Sequence, residues 1–299
     1  MELVDTLDLG SSVVRRESSS LSFRTIVMQT IIQHSTDLEI ATNISATYHC
    51  DIKPYNGHIR LYTDQTVDLN ALRQTYSTDF NYLPEIDFSQ IKLFVSDMDS
   101  TLINIECIDE IADFADLKPQ VAAITERAMQ GELDFNASLI ERVALLKGLD
   151  VAVLNQVYTE RLQVNPGGED LIQFFKGKDI YSAVVSGGFT YFTNRLAQDI
   201  GLDHARANEL DVENNQLTGI TQGSIINATA KAEFVVELCE QYDISPNQVI
   251  VAGDGANDLE MMSIAGLSVA YHAKPSVIKQ ANIVISFGGL DKIVDLFDE

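Results

Sequence analysis

The chain has 299 residues, 45% of them hydrophobic, which is enough for one large domain or two ordinary ones. Its 44 acidic and 20 basic side chains give a net charge of −24 at pH 7, which argues against a nucleic acid or an anionic membrane as a partner. Any anionic substrate must therefore be held by local positive groups.

The N-terminal part of the chain, up to residue 88, predicts a small α+β domain. Residues 1–20 are polar and serine-rich, which is typical of a disordered tail. Strand-like runs follow at 25–28 and 58–62, and residues 69–76 predict a short helix. Nothing here has catalytic spacing, and residues 84–88 predict a linker into the main domain.

From residue 89 to 299, strands and helices alternate, which predicts an α/β domain with a parallel sheet. Its first strand ends at Asp97. The helical stretch from 105 to about 161 is too long for a simple crossover, so we interpret residues 105–165 as a helical cap over the sheet edge. Further strands are predicted at 180–185, 249–252, 267–271 and 282–287, a hairpin around 213–215, a helix ending at Gly201 and a helix starting near Thr229.

Two aspartates separated by one residue, Asp97 and Asp99, follow directly after the first predicted strand of the main domain. Strand side chains alternate, so both carboxylates point to roughly the same side, at the edge where open α/β sheets bind ligands. Two carboxylates there are costly unless a metal, a proton or catalysis uses them. The simpler alternative is an acidic turn in which Ser100 or Thr101 caps a helix.

Three further motifs end predicted strands or begin helices. The Ser-Gly-Gly sequence at 186–188 offers a hydroxyl and backbone amides that can hold a phosphate. Lys231 lies in the first turn of a helix, where a cation opposes the helix dipole and needs another reason to be present. The third motif is a loop at 253–258, which presents the polar side chains Asp254, Asn257 and Asp258. Each motif alone is also typical of an ordinary turn or surface charge, but together they predict one site.

The chemistry of these groups is coherent. Three acidic residues with oxygen ligands suit a hard divalent cation, and Mg²⁺ is the expected one. The metal, the lysine and the backbone donors would offset the charge of a phosphoryl group.

This order of motifs resembles the haloacid dehalogenase superfamily, whose phosphatases use an aspartate nucleophile. Within it, the sequence is similar to the phosphoserine phosphatase family from about Ile91 to the C-terminus, including the cap segments 131–135 and 142–146. The resemblance implies a Rossmann-like core and an Mg²⁺-dependent phosphomonoesterase. That enzyme would hydrolyse O-phospho-L-serine to L-serine and phosphate, the last step of serine biosynthesis.

The resemblance also implies roles for the core residues. Asp97 would attack phosphorus and form an aspartyl-phosphate, and Asp99 would protonate the leaving hydroxyl and then activate water. The Asp97 side chain, the Asp99 backbone carbonyl and Asp254 would bind Mg²⁺. The groups that hold phosphate, or position the lysine and water, would be Ser186, the Gly187 amide, Lys231, Asn257 and Asp258.

By the same resemblance, substrate selectivity lies in the cap. Glu106 would pair with the substrate ammonium, and the Arg142 guanidinium would pair with the substrate carboxylate. Met129 and Phe135 would close over the site and exclude water. Without the resemblance, the simpler interpretations are favoured: Glu106 as an acid at a helix start, Arg142 as a surface charge, and Met129 and Phe135 as core residues.

Other functions are also compatible with the sequence. One is a related phosphatase that acts on another small amino-containing phosphate, or a phosphotransferase that uses an acceptor alcohol. A phospho-accepting receiver module would need neither Asp99 nor a cap, and a transport ATPase would need membrane helices. The first ~85 residues could be a regulatory, ACT-like amino-acid-binding module, a homodimer contact or a purely structural unit.

The cysteines and the start of the chain indicate a reducing compartment. Cys50, Cys107 and Cys239 form no C-x-x-C pair, so we expect neither a disulfide framework nor a structural zinc site. Residues 1–5 lack the apolar core of a signal peptide, and no run approaches the ~18 apolar residues of a membrane span. We therefore expect a soluble cytoplasmic protein.

Overall fold

The computed structural model of the chain describes residues 28–297. The predicted disordered tail at 1–20 and residues 25–27 of the first strand-like run lie outside the described residues. Within the described part, no helix is long and apolar enough to cross a membrane. The three cysteines are all free and buried.

An N-terminal unit consists of one antiparallel sheet and two helices. Asp37 and Asp68 accept backbone N–H bonds at the helix starts, which is the usual way to satisfy the free amides there. Its elements are β1 Gln29–Gln33, α1 Leu38–Tyr48, β2 Asp51–Pro54, β3 Ile59–Thr63, α2 Leu69–Tyr76 and β4 Phe80–Tyr82. The strand order is β2-β3-β1-β4.

The remaining chain forms a layered α/β unit. Its elements up to the second strand are β5 Leu93–Ser96, α3 Cys107–Phe114, α4 Lys118–Met129, α5 Phe135–Leu145, α6 Ala152–Glu160, α7 Gly168–Gly177 and β6 Tyr181–Phe189. They are followed by α8 Thr190–Ile200, β7 His204–Glu213, β8 Gln216–Gln222, α9 Ala228–Tyr242, β9 Val249–Gly253, α10 Leu259–Ile264, β10 Leu267–Tyr271, α11 Pro275–Ile278 and β11 Ile283–Ile285.

The seven strands of this unit have the order β11-β10-β9-β5-β6-β7-β8. All neighbours pair in parallel except β7 with β8, which form an antiparallel hairpin. The predicted α/β class with a parallel, Rossmann-like sheet is therefore confirmed.

Helices cover both faces of this sheet, so its central strands are buried on both sides. In β5, Phe94 packs in one apolar cluster with Phe175 of α7, while Leu93 and Val95 pack in a second cluster with Phe234 of α9. This alternation anchors β5 rigidly and presents its carboxyl end at one edge of the sheet.

The predicted helical stretch after β5 consists of four helices, α3 to α6. The chain turns between them where residues adopt positive φ angles: Asp116 at 56°, Gly131 at 80° and Gly148 at 85°. A left-handed conformation ends a helix, so one continuous helix is impossible here.

The β7–β8 hairpin is bound to the last two of these helices. Its turn residues Asn214 and Asn215 have φ angles of 50° and 66°, as tight hairpin turns require. The Gly148 amide donates to the Leu217 carbonyl at 2.7 Å, and the Leu217 amide donates to the Leu149 carbonyl at 2.8 Å. The hairpin therefore fixes the base of the predicted cap to the sheet.

The N-terminal sheet packs against the opposite edge of the large sheet. The Asp79 carboxylate accepts the amides of Ser286, Phe287 and Gly288 at 2.7, 3.0 and 2.8 Å. Asn81 bonds to both main-chain polar groups of Val284. The two sheets thus share a polar interface made largely with backbone groups of the segment around β11.

Candidate active site

The predicted core motifs meet at one edge of the large sheet. Asp97 follows β5, the sequence 186–188 ends β6, and Asp254 follows β9; these three strands are neighbours in the order β9-β5-β6. Lys231 lies in the first turns of α9, whose start faces the same edge. The carboxyl ends of adjacent parallel strands form a common crevice, as open α/β sheets require of a ligand site.

A buried ion-pair chain forms the floor of this crevice. The Lys231 ammonium donates to Asp97 Oδ1 at 2.7 Å and to Asp258 Oδ1 at 2.8 Å. Lys231 is 0% exposed, so burial opposes its charge, but the two carboxylates outweigh burial and raise its pKa. Burial, followed by the Asp258 charge, raises the pKa of the Asp97 carboxyl, and Lys231 opposes this rise.

Asp258 has both carboxylate oxygens occupied. Oδ1 accepts from Lys231, and Oδ2 accepts the amides of Asp254 at 3.2 Å and Gly255 at 3.0 Å. A Cβ on Gly253 would lie 2.5 Å from this carboxylate, so the site needs glycine there. Asp258 therefore positions the lysine and the loop that carries Asp254.

The donor set fits a divalent cation. Oxygen atoms of Asp97, Asp254 and Asp258 lie within 4.8 Å of one another. Burial and the Asp258 charge raise the pKa of the Asp254 carboxyl, as expected where acids outnumber nearby cations. Hard divalent cations prefer oxygen ligands such as these carboxylates.

Asp99 turns away from this triad. Its Oδ1 accepts the Cys107 amide at 2.8 Å, and its Oδ2 accepts the Ser186 hydroxyl at 2.9 Å. Ser100, the next residue, has a φ of 58°, which bends the chain sharply toward the cap. The sequence predicts that the Asp99 backbone carbonyl binds the metal. The two side-chain hydrogen bonds do not test this role, so it remains a prediction.

The glycines at the end of β6 allow a close approach of the neighbouring groups. A Cβ on Gly188 would lie 2.8 Å from Asp99 Oδ2, and one on Gly187 would lie 2.8 Å from Phe135 Cζ. Ser186 is fully buried, and its hydroxyl oxygen also accepts the Gly188 amide at 2.8 Å. The segment is therefore a compact polar wall in which Gly187 lies beside the aromatic ring of the cap residue Phe135.

A cavity of about 660 Å³ joins this floor to the cap. Its lining combines predicted core residues with predicted cap residues. Those from the core are Asp97, Asp99, Gly187, Asp254 and Asn257, and those from the cap are Glu106, Met129, Phe135 and Arg142. The structure thus brings the predicted selectivity residues to the same space as the predicted nucleophile.

The charged cap residues have distinct environments. The Glu106 carboxylate accepts the Ser100 hydroxyl at 2.7 Å, and desolvation in the cavity, followed by the Asp99 charge, raises its pKa to about 7. Arg142 donates from Nε to the Ser138 carbonyl at 3.3 Å; burial lowers its pKa, and the acids Asp109 and Glu106 oppose this.

The apolar cap residues differ from each other. Phe135 lies half-buried against Gly187, at the start of α5. Met129 lines the cavity at the end of α4 but is 79% exposed. The prediction that both close over a bound substrate therefore needs an inward movement of Met129.

Three groups at the site are absent from the sequence predictions. Thr101 donates to Asp254 Oδ1 at 3.2 Å, Asp109 faces Arg142, and Lys274 lines the cavity beside Asp254. Lys274 follows β10, so a search for cations just after strands of the same edge would have found it.

A family model described as haloacid dehalogenase-like hydrolase matches residues 91–266, more than half of the chain. The chain belongs to this hydrolase family. Residues of the N-terminal sheet lie outside that match, yet similarity to solved structures extends over them as well.

Individual relatives of this hydrolase share much of its sequence. A phosphoserine phosphatase of Polaromonas sp. is 51% identical over 218 residues, covering 71% of this chain and 92% of the relative. A HAD family hydrolase of Salmonella enterica serovar Typhi has a TM-score of 0.84 at 32% identity, covering 91% of this chain and 99% of that one. A probable phosphoserine phosphatase of Vibrio cholerae, in unliganded form, has a TM-score of 0.79 at 35% identity, covering 90% and 85%.

The cavity of this hydrolase suits phosphoryl transfer. It places a buried carboxylate beside a buried ammonium, and a second carboxylate beside a hydroxyl. Such an arrangement can position a phosphoryl group and stabilise the charge on its oxygens.

Proposed function

We propose that this chain is an Mg²⁺-dependent phosphatase that hydrolyses O-phospho-L-serine to L-serine and phosphate, the last step of serine biosynthesis. The observation that carries the proposal is one cavity with the Asp97–Lys231 pair on its floor and Glu106 and Arg142 on its cap wall. A phosphate at the floor leaves the amino and carboxylate groups of the substrate facing those two cap charges.

Asp97 is the nucleophile in this proposal. Its carboxylate attacks phosphorus, the serine oxygen leaves, and an aspartyl-phosphate forms. Mg²⁺ would be held by the Asp97 side chain, the Asp99 backbone carbonyl and Asp254, and would neutralise phosphoryl charge. Asp258 keeps the Lys231 ammonium directed at the attacking carboxylate.

The phosphoryl oxygens are held by Ser186, the Gly187 amide and Lys231. In the substrate-free geometry the Ser186 hydroxyl donates to Asp99. Rotation of that hydroxyl toward a phosphoryl oxygen releases the Asp99 carboxyl for proton transfer. Asn257, half-buried on the cavity wall, orients the phosphate or the attacking water.

Asp99 moves the protons in both half-reactions. It protonates the leaving serine oxygen, which becomes the hydroxyl of serine. As a carboxylate, it then takes a proton from the water that attacks the aspartyl-phosphate. Its two hydrogen-bond donors, the Cys107 amide and Ser186, fix its orientation at the crevice.

Selectivity for phosphoserine comes from the cap. Glu106 pairs with the substrate ammonium and Arg142 with the substrate carboxylate, which a planar guanidinium binds through two parallel hydrogen bonds. Phe135 and Met129 cover the bound substrate and exclude water.

A turnover screen with Mg²⁺ tests this proposal across phosphoserine, phosphothreonine, phosphoethanolamine and sugar phosphates. We expect the highest kcat/KM for phosphoserine. Arg142→Ala should raise KM for phosphoserine and leave phosphoethanolamine, which has no carboxylate, nearly unchanged. Arg127→Ala, an exposed cap arginine paired with Glu141, is the matched control. A preference for a substrate without a carboxylate, or for transfer to an added alcohol, would favour the alternative functions.

We also propose a division of the chain at residue 88 into an N-terminal unit and a phosphatase domain that carries its cap at 105–165. We place the enzyme in the cytoplasm, in keeping with its three reduced, buried cysteines. A homodimer and an ACT-like regulatory role of the N-terminal unit are tested by light scattering and by serine titration of the full-length protein.

A further inference from the structure

Besides Arg142 of the cap, the cavity lining contains a second cation, Lys274, which belongs to the core. Lys274 follows β10, and its backbone amide donates to the Asp254 carbonyl at 3.0 Å, which ties it to the loop that carries the predicted metal ligand. Its side chain is exposed along the cavity wall. Among residues 28–297 it makes no ion pair, so its charge is available to a ligand.

The cavity lining has many more acids than bases. Its cations are Arg142, which belongs to the cap, and Lys274, which belongs to the core. A phosphorylated amino acid has an anionic carboxylate at one end and an anionic phosphate at the other. Arg142 lies on the cap wall, whereas Lys274 is bonded through its amide to Asp254 of the cavity floor, so Arg142 suits the carboxylate end and Lys274 the phosphate end. The lining acids are Asp97, Asp99, Glu106, Asp109 and Asp254.

Lys231 is poorly placed for the first contact with an incoming phosphate. It is completely buried, and its ammonium already donates to two carboxylates. The chain as a whole has a net charge of −24 and repels a dianion. An exposed ammonium on the cavity wall is therefore the group that a phosphate can reach first.

The backbone bond between Lys274 and Asp254 places the lysine at the reacting end of the cavity. Asp254 belongs to the acidic triad of the cavity floor, together with Asp97, the proposed nucleophile. Lys274 and Asp97 line the same cavity, so the lysine side chain and the reacting carboxylate share one space.

We propose that Lys274 captures the phosphate group as the substrate enters the cavity and holds the inorganic phosphate as it leaves. A compact ammonium on a flexible four-carbon stem can follow a moving phosphate, and it needs no fixed fork geometry. The role is one of binding; no bond forms or breaks at Lys274. The assignment rests on the proposed function only for the identity of the phosphate ester.

Binding and kinetics of Lys274→Gln test this proposal. Lys279→Gln is the matched control. Lys274 precedes helix α11 and Lys279 follows it; Lys279 is also exposed but does not line the cavity. Calorimetry with inorganic phosphate and Mg²⁺ should show a Kd roughly tenfold weaker in Lys274→Gln, with Lys274→Arg close to wild type. With p-nitrophenyl phosphate, kcat/KM should fall by a similar factor and lose part of its dependence on ionic strength, while kcat stays within about twofold.

Two results would overturn the proposal. One is an unchanged phosphate Kd and an unchanged salt dependence in Lys274→Gln. The other is an equal loss of kcat in Lys274→Gln and Lys274→Arg with phosphate affinity intact, which would assign the lysine a purely structural role. Neither probe is an amino acid, so a wild-type enzyme that rejects phosphoserine would refute the proposed substrate and leave this test valid.

Discussion

The neighbours of Asp97 have opposite effects on the ionisation of its carboxyl group. The Lys231 ammonium, at 2.7 Å, favours the carboxylate that a nucleophile needs, whereas burial and Asp258 favour the neutral acid. The order of the motifs in the sequence predicts that Asp97 and Lys231 belong to one site. It could not predict that Ser186 donates to Asp99, because side-chain rotation decides a contact between residues 87 positions apart.

Replacing Asp99 separates proton transfer from the other steps. Asp99→Asn cannot donate a proton to the leaving oxygen, so turnover of alkyl phosphates should fall roughly 100-fold or more. The p-nitrophenolate group leaves without a proton, so p-nitrophenyl phosphate should lose much less in its first half-reaction. Rapid-mixing measurement of leaving-group release checks this. Equal losses for both substrates would remove the acid role from Asp99.

In the proposed function, Glu106 makes substrate binding depend on pH. With a pKa of about 7, Glu106 is ionised above that pH, so its pairing with the substrate ammonium is complete there and is lost as the pH falls through 7. We expect KM for phosphoserine to rise between about pH 8 and about pH 6.

Two controls isolate this effect. Phosphoglycerate with a hydroxyl in place of the ammonium retains the titration of the phosphate and should show a flatter KM profile. Glu106→Gln should flatten the phosphoserine profile as well. A wild-type profile that is the same for both substrates would contradict the assigned pairing.

At the scale of the elements, β10 and α2 have the same bounds as predicted, because each is a pattern of apolar residues between clear breaks. The cap was predicted as one helical stretch, since apolar spacing at three and four residues continues across Gly131 and Gly148. The predicted strand at 282–287 is shorter, because the amides after β11 bond to Asp79. Helix α1 has no sequence prediction; its interior Thr42, Asn43 and Ser45 weaken the helical pattern.

Asp150 joins the hairpin to the cap at this scale. Its carboxylate accepts the Ala152 amide at 2.8 Å, at the start of α6, and the Asn215 side-chain amide at 3.0 Å in the hairpin turn. Asp150→Ala should therefore lower the free energy of unfolding by about 1 kcal/mol, the usual net contribution of a hydrogen bond, and leave kcat unchanged. Urea denaturation with a parallel activity assay measures both; unchanged stability would show that neither bond contributes.

At the scale of the whole molecule, the contact between the two sheets could not be predicted. It depends on Asp79 and Asn81, polar residues whose partners are backbone groups more than 200 positions away. His34 adds a buried bond to Asp295 at 2.8 Å, close to the C-terminus. No periodicity or motif indicates such contacts, whereas the motifs after β5, β6 and β9 predict that these strand ends meet at one edge of the sheet.

Asp79→Ala tests whether this contact couples the two units. Three partly buried backbone amides would lose their charged acceptor, so we expect a loss of roughly 3 kcal/mol and earlier unfolding of the N-terminal unit. Asp37→Ala, which removes an exposed cap of α1, should cost about 1 kcal/mol and serves as the control. Equal effects of the two substitutions would mean that the Asp79 contacts contribute little.

In the proposed mechanism, Asp97 carries the phosphoryl group between phosphoserine and water. The decisive measurement is rapid acid quench of the enzyme with Mg²⁺ and phosphoserine radiolabelled in its phosphate. We expect a protein-bound phosphate in the wild type that hydroxylamine releases, and neither label nor turnover in Asp97→Asn. Steady phosphoserine hydrolysis by Asp97→Asn, or label that survives this substitution, would contradict this mechanism.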